Sequence, residues 1–209
     1  LRGIIMEINA SLVNELRQQT GCGLMECKKA LEESNGNLDK AIENLRKKGV
    51  AKAAKKADRT TSQGRIATYV HGEGRVGVMV EVHCETDFVA KNEKFKDFVH
   101  EVALHIAAVN PLYISPEDVP QEMVEKEKEI IKGQLAHEKK PANIIDKIVE
   151  GKINKFYEEV CLLKQPYIKD NDKTIEQFLT EQIAVIGENI KIARFARFEI
   201  ASGATVCGQ

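Results

Sequence analysis

No stretch of this sequence approaches the roughly 20 consecutive apolar residues that a membrane-spanning helix requires. The five residues ahead of Met6 carry one charge and are too few for the apolar segment and cleavage site of a secretory signal. Both absences predict a cytosolic protein, with Leu1 to Ile5 as a leader before a natural start at Met6. Cysteine is scarce: the five thiols at 22, 27, 84, 161 and 207 are odd in number and scattered, which excludes a secreted disulfide framework. Cys22 and Cys27 lack a second ligand pair and match no zinc spacing. Reduced, mostly packed thiols are expected.

Catalytic groupings are missing too. The five histidines (71, 83, 100, 105 and 137) accompany no nucleophile motif. His100 and His105 are five apart and miss the i, i+4 spacing of a helical metal pair. There is no phosphate loop, and the spacing Gly72-x-Gly74-x-x-Gly77 is accidental. A dinucleotide fingerprint must open a helix whose N-terminus holds the pyrophosphate, whereas Gly77 falls inside a valine-rich strand pattern. No catalytic residue, metal site or cofactor is expected, and the protein is read as a non-enzyme.

The net charge of −1 conceals an asymmetry. Residues 1–65 carry 13 basic against 8 acidic side chains, and the seven basic residues from Arg46 to Arg59 face only Asp58. Such a run is either an RNA-contacting patch or a solvated helix face and linker. It contains no aromatic residue, so the stacking groups of a single-strand binder are lacking.

Against these absences stands a clear organisation. Residues 6–49 carry three amphipathic patterns at helical spacing. The first holds Ile8, Leu12, Val13 and Leu16 and stops at Gly21; the second holds Cys27, Ala30 and Leu31 and stops at Gly36; the third, capped by Asn37, holds Leu38, Ala41, Ile42 and Leu45 and stops at Gly49. Glycine closes helices because it adopts the left-handed conformation without steric cost. The result is a three-helix bundle with a thin core, suited to docking. Residues 50–62 have no large apolar side chain after Val50 and read as a basic linker, helical at its start, that does not bury itself against a core.

From residue 63 the period changes to two. Arg65 to His71 and the alternating Val76, Val78, Val80 and Val82 predict a hairpin with one buried face. A helix follows the Asn92 cap, with Phe95, Phe98, Val99, Val102, Ile106 and Val109 on its stripe. Ser115-Pro116-Glu117-Asp118 is a helix-start signal. Gln121 to Lys140 is a highly charged helix, or one arm of a helical pair, with Val124, Ile131 and Leu135 as its sparse stripe. Residues 144–160 are helical, Pro166 breaks the chain, Thr174 to Ile186 is helical again, and Ile190 to Ile200 is the closing strand. The fold class is α+β: the bundle at 6–49, the linker at 50–62, and at 63–209 a small antiparallel sheet packed with helices.

Two segments carry a more specific signal: Leu16-Arg17-Gln18-Gln19-Thr20-Gly21-Cys22-Gly23-Leu24-Met25-Glu26-Cys27-Lys28-Lys29-Ala30-Leu31 and Glu81-Val82-His83-Cys84-Glu85-Thr86-Asp87-Phe88-Val89-Ala90-Lys91. Both resemble, in the same order, the signature stretches of the elongation factor Ts family. Asn35-Gly36-Asn37, the block from Lys140 to Pro166 and Ile186-Gly187-Glu188-Asn189-Ile190 are similar as well, so the resemblance runs from Met6 to about Ile200. It implies a guanine nucleotide exchange factor whose partner is elongation factor Tu. In this family the Thr86-Asp87-Phe88-Val89 turn enters the GTP-binding domain of the partner, with Asp87 and Phe88 reaching toward the magnesium site. The bundle resembles a ubiquitin-associated domain that docks on the partner through Arg17, Leu24 and Met25, with Lys28 a weaker candidate.

Read without the family, Phe88 is equally a core anchor, and Leu24 and Met25 are core residues or a pair of which one is exposed. Residues 63–209 are shorter than the core of the longest members, and the chain is similar to short members that act as homodimers. No membrane partner and no direct nucleic-acid contact are implied. A second contact surface for elongation factor Tu stays unassigned. A ubiquitin-associated adaptor without effect on a GTPase and an RNA-binding protein using Arg46 to Arg59 are the rival readings.

Overall fold

The computed structural model describes residues 9–135 and 141–208. The expectations for Leu1 to Ile5, Ile8, His137 and the 136–140 end of the charged helix lie outside the described residues. Residues 10–54 build α1 (Ala10–Thr20), α2 (Leu24–Glu33) and α3 (Leu38–Ala54). Asn9 Oδ1 caps α1 through Leu12 N–H and Asn37 Oδ1 caps α3 through Lys40 N–H, each satisfying a donor that the first helical turn leaves open. Gly21 closes α1 at φ +66°, its N–H bonded to the Arg17 carbonyl. Val13, Leu16, Cys27, Ala30, Leu31, Ala41 and Leu45 form the bundle's own small core.

The third helix does not stop at Gly49; it continues to Ala54. Gly49 lies where α3 crosses α8 (Ile175–Ile186), and an added Cβ would meet the Ala184 methyl at 3.4 Å, in van der Waals contact. A glycine that reads as a stop is here a point of close helix approach. The stretch read as a linker that buries nothing also differs, since Ala53 is buried in the main core. The Asn189 side-chain amide donates to the carbonyls of Ala57 and Arg59 at 3.1 and 2.9 Å.

The main sheet comprises β1 (Gln63–His71), β2 (Val76–Cys84), β5 (Ile190–Glu199) and β6 (Gly203–Cys207), antiparallel in the order β1-β2-β5-β6. Val78, Val80 and Val82 point into the core as their alternation requires. The expected closing strand is β5, but β6 follows it as the true edge, and the register between β2 and β5 slips by one residue at Glu81/Val82. A second, two-stranded sheet, β3 (Pro166–Tyr167) and β4 (Asp170–Thr174), occupies the region read only as a break at Pro166.

Helix α5 (Glu93–Val109), capped by Asn92, lays Phe95, Phe98, Val99, Val102 and Ile106 on the sheet, whereas Val109 at its end is exposed. Arg197, buried on the sheet's inner face, donates through Nε and Nη2 to the Ala107 carbonyl at 3.2 and 3.1 Å and so ties the negative end of α5 to β5. The Ser115–Asp118 signal opens only a single 3₁₀ turn, in which Asp118 accepts from Ser115 N–H at 2.8 Å. Helices α6 (Gln121–Leu135) and α7 (Ala142–Val160) pair through Ile131, Leu135, Val149 and Ile153, a satellite core separate from the main one. Among the described residues no helix is long and apolar enough to cross a membrane.

Candidate functional site

Thr86 to Ala90 lie between the end of β2 and the start of α5. They form one helical turn, α4 (Asp87–Ala90), rather than an open turn. Thr86 caps it, its Oγ1 accepting from Val89 N–H at 3.4 Å. Val89 and Ala90 turn inward and pack on the main core. Phe88 turns outward and is 82% exposed, so the reading of Phe88 as a core anchor is overturned. Burial of a phenylalanine side chain is worth about 1.5–3 kcal/mol, and the isolated fold gains almost none of it here. Asp87 beside it is bonded to Lys91 Nζ at 2.8 Å, and this contact holds its carboxyl below the usual carboxylate range.

The turn is held from below by residues far away in sequence. Glu188 Oε2 accepts from the backbone N–H groups of Glu85 and Thr86 at 3.1 and 3.0 Å, and its Oε1 accepts from Thr86 Oγ1 at 2.6 Å. Glu85 Oε1 in turn accepts from Asn189 N–H at 2.6 Å and lies 3.5 Å from Arg59. Cys84 donates its thiol to the Thr86 carbonyl at 3.2 Å; burial pushes its pKa up to about 11, so it stays a protonated donor and not a nucleophile. Glu85, Glu188 and Asn189 were not among the candidate residues. Glu85 lies inside the quoted 81–91 stretch, whereas the signal for Glu188 and Asn189 was confined to a glycine–acid–asparagine loop after a helix, and nothing local in that loop points to Thr86.

The second candidate group sits where α1 meets α2. Arg17 is on the last turn of α1, and Leu24, Met25 and Lys28 are on the first turns of α2. Leu24 and Met25 are 49% and 72% exposed. The adjacency argument allowed for one exposed member, but both face out because Gly23 starts the helix at the rim of the bundle and Cys27 is its first inward residue. Here the bundle meets the core at the start of α5, not at the 86–90 turn. Lys94 Nζ, on the first turn of α5, bonds the Gly21 carbonyl at 3.4 Å, and Arg17 and Lys94 line one shallow groove.

The basic run from Arg46 to Arg59 is not a free cationic patch. Lys47 pairs with Glu43 at 2.6 Å, Lys48 with Glu33 at 2.5 Å, Arg59 with Glu85 at 3.5 Å and Arg46 with Glu181 at 3.9 Å; Lys52 pairs with Glu26. That is the charge pattern of a solvated helix face. Among the described residues no cluster of three or more potential metal ligands occurs.

The family model described as Elongation factor TS matches residues 8–200. The chain is 59% identical over 196 residues to Elongation factor Ts of Caldanaerobacter subterraneus subsp. tengcongensis, which covers 94% of this chain and 98% of that protein. Identity to Elongation factor Ts of Acetivibrio thermocellus is 58% over 196 residues, covering 94% and 91% of the two chains. For Elongation factor Ts of Geobacter sulfurreducens it is 54% over 198 residues, covering 95% and 92%.

Proposed function

The chain belongs to the elongation factor Ts family, and from that premise we propose that it is the guanine nucleotide exchange factor of elongation factor Tu, acting in the cytosol without making or breaking a covalent bond. Exchange is a linkage problem. A factor that binds nucleotide-free partner more tightly than the GDP complex must weaken GDP binding by the same factor. The differential contact is assigned to α4. Phe88 wedges into the GTP-binding domain, and Asp87 releases Lys91 to perturb the charge balance around the magnesium ion that neutralises the GDP phosphates. The observation that carries this reading is Phe88, a large aromatic side chain left 82% exposed at the tip of an anchored turn.

In the proposed division of labour, residues 6–49 dock through Arg17, Leu24, Met25 and Lys28, residues 50–62 connect, and residues 63–209 exchange and dimerise. The bundle adds affinity by raising the effective concentration of α4 at the nucleotide site. Self-association is supported by the outer face of the sheet. Ile66, Val70, Met79, Phe198 and Val206 all stand exposed there, and Thr68, Met79, Ala196 and Val206 form one cross-strand row. A contiguous apolar face of this kind suits the self-complementary contact of a twofold dimer.

Stopped-flow release of fluorescent GDP from a bacterial elongation factor Tu tests the proposal. Release that accelerates with added factor supports it. Binding without acceleration would leave the adaptor reading in its place.

A further inference from the structure

Three groups that have to be held still converge on one carboxylate. The Glu188 side chain takes two consecutive backbone N–H groups, of Glu85 and Thr86, on one oxygen and the Thr86 hydroxyl on the other. Charge-assisted bonds of this kind are roughly twice as strong as neutral ones. The Thr86 hydroxyl donates to Glu188 while accepting from Val89 N–H, so the carboxylate also fixes the rotamer of the residue that caps α4. Phe88 is two residues further on.

The carboxylate is itself rigidly mounted. Gly187, at φ +92°, closes α8 with its N–H bonded to the Ile183 carbonyl, and Ile190 is already paired with Cys84 in the β2–β5 ladder. Between these two fixed points Asn189 binds the chain leaving α3 at Ala57 and Arg59. The loop 187–189 therefore refers α4 both to the sheet and to the base of the bundle.

We infer that Glu188 is a positioning residue for exchange: it touches neither nucleotide nor partner, and it sets the direction in which Phe88 leaves the protein surface. The inference rests on the exchange function proposed above. It explains why an exposed four-residue helix, which lacks the length to be stable alone, is carried as a defined element. It also separates orientation from affinity. The docking residues on α1 and α2 do not depend on Glu188, whereas the approach of Phe88 does, and misplacement of a reacting or wedging group by about 1 Å is enough to cost up to about a hundredfold in rate.

The test is GDP release measured over a range of factor concentrations, giving a saturating rate and a half-saturating concentration for the full chain and for Phe88→Ala, Glu188→Ala and Glu188→Gln. Glu188→Ala is expected to lower the saturating rate about tenfold while the half-saturating concentration moves less than about twofold. Glu188→Gln restores most of the rate. Its amide oxygen accepts both backbone N–H groups and its NH₂ donates to the Thr86 hydroxyl, so the contacts survive without the charge.

A Glu188→Ala protein that saturates at the wild-type rate overturns the inference. So does a loss that glutamine fails to rescue and that falls on both parameters alike, which marks a merely structural residue. Phe88→Ala separates the two layers: wild-type release from Phe88→Ala sinks the wedge itself, whereas wild-type release from Glu188→Ala alone sinks only the positioning. Should Glu188→Ala fail to fold, Glu188→Asp withdraws the carboxylate by one methylene from all three donors while the Thr86 cap on Val89 N–H stays in place. A drop in its saturating rate with an unchanged half-saturating concentration supports the inference, and wild-type behaviour overturns it.

Discussion

His105 Nε2 lies 3.0 Å from Gln165 Oε1 at the centre of the main core, and both side chains are fully buried. On its other side His105 Nδ1 accepts from Ile168 N–H at 3.3 Å. The ring is therefore the neutral tautomer protonated on Nε2, and a second proton on Nδ1 would face an N–H donor. Burial holds its pKa below the ordinary histidine value. The unfolded chain takes up a proton near pH 6.5 that the folded chain refuses, so stability present above that pH is lost as pH falls through it. The slope approaches about 1.4 kcal/mol per pH unit. Urea unfolding at pH 7.5 and pH 5 checks this: His105→Gln flattens the decline by one proton, and an unchanged slope would mean that His105 does not carry it.

Phe88→Ala leaves the fold intact, because the side chain makes no core contact, and removes the wedge. The saturating rate of GDP release falls by a factor of about 30, the equivalent of about 2 kcal/mol at a binding hot spot. Circular dichroism shows wild-type thermal unfolding. A rate within twofold of wild type refutes the assignment of Phe88.

Met25→Ala and Arg17→Ala act on association. Each raises the half-saturating concentration about fivefold to tenfold, corresponding to about 1 kcal/mol or more for a truncated interface residue, and leaves the saturating rate within twofold. Fluorescence titration and stopped-flow on the same variants separate the two effects.

How much of this was legible beforehand depended on the range of the interactions. The hairpin of β1 and β2 was readable because Val76 to Val82 write their burial directly into the alternation. The helix caps at Asn37 and Asn92 were readable because a cap is a contact over two or three residues. Gly49 was misread as a stop because what it faces, Ala184, is on another helix and leaves no local mark in the sequence. The short β6 was missed because Gly203 to Cys207 becomes a strand only through pairing with β5. The candidate turn was recognisable from its signature, but Glu188 and Asn189, which hold it and the chain leaving α3, act across more than a hundred residues.

Phe198→Glu or Met79→Glu places a charge on the outer face of the sheet, where each side chain is more than half exposed in one chain. The monomer tolerates it, and the dimer does not, since an unpaired charge buried at an interface costs several kcal/mol. Light scattering after size exclusion is expected to show a dimer for the wild type and a monomer for either variant. A wild-type monomer at all concentrations would rule out the proposed association.

Asn189→Ala releases the carbonyls of Ala57 and Arg59 without touching the Glu188 contacts. The loss of two hydrogen bonds costs about 1–3 kcal/mol, concentrated where α3 ends. Trypsin, for which Lys55, Lys56 and Arg59 are targets, cleaves this segment several-fold faster in the variant, while cleavage elsewhere is unchanged. Equal rates at this segment would show that Asn189 does not restrain it.

The bond between Thr86 and Glu188 spans 102 residues, and that span has a meaning for biosynthesis. The bundle's buried core runs only from Val13 to Leu45, and it can fold soon after it emerges from the ribosome. The α4 turn, although translated less than halfway through the chain, lacks its anchor until residue 188 has followed. On the proposed reading, a nascent or truncated chain acquires its docking bundle before it acquires an oriented Phe88, and exchange competence becomes a mark of a finished molecule.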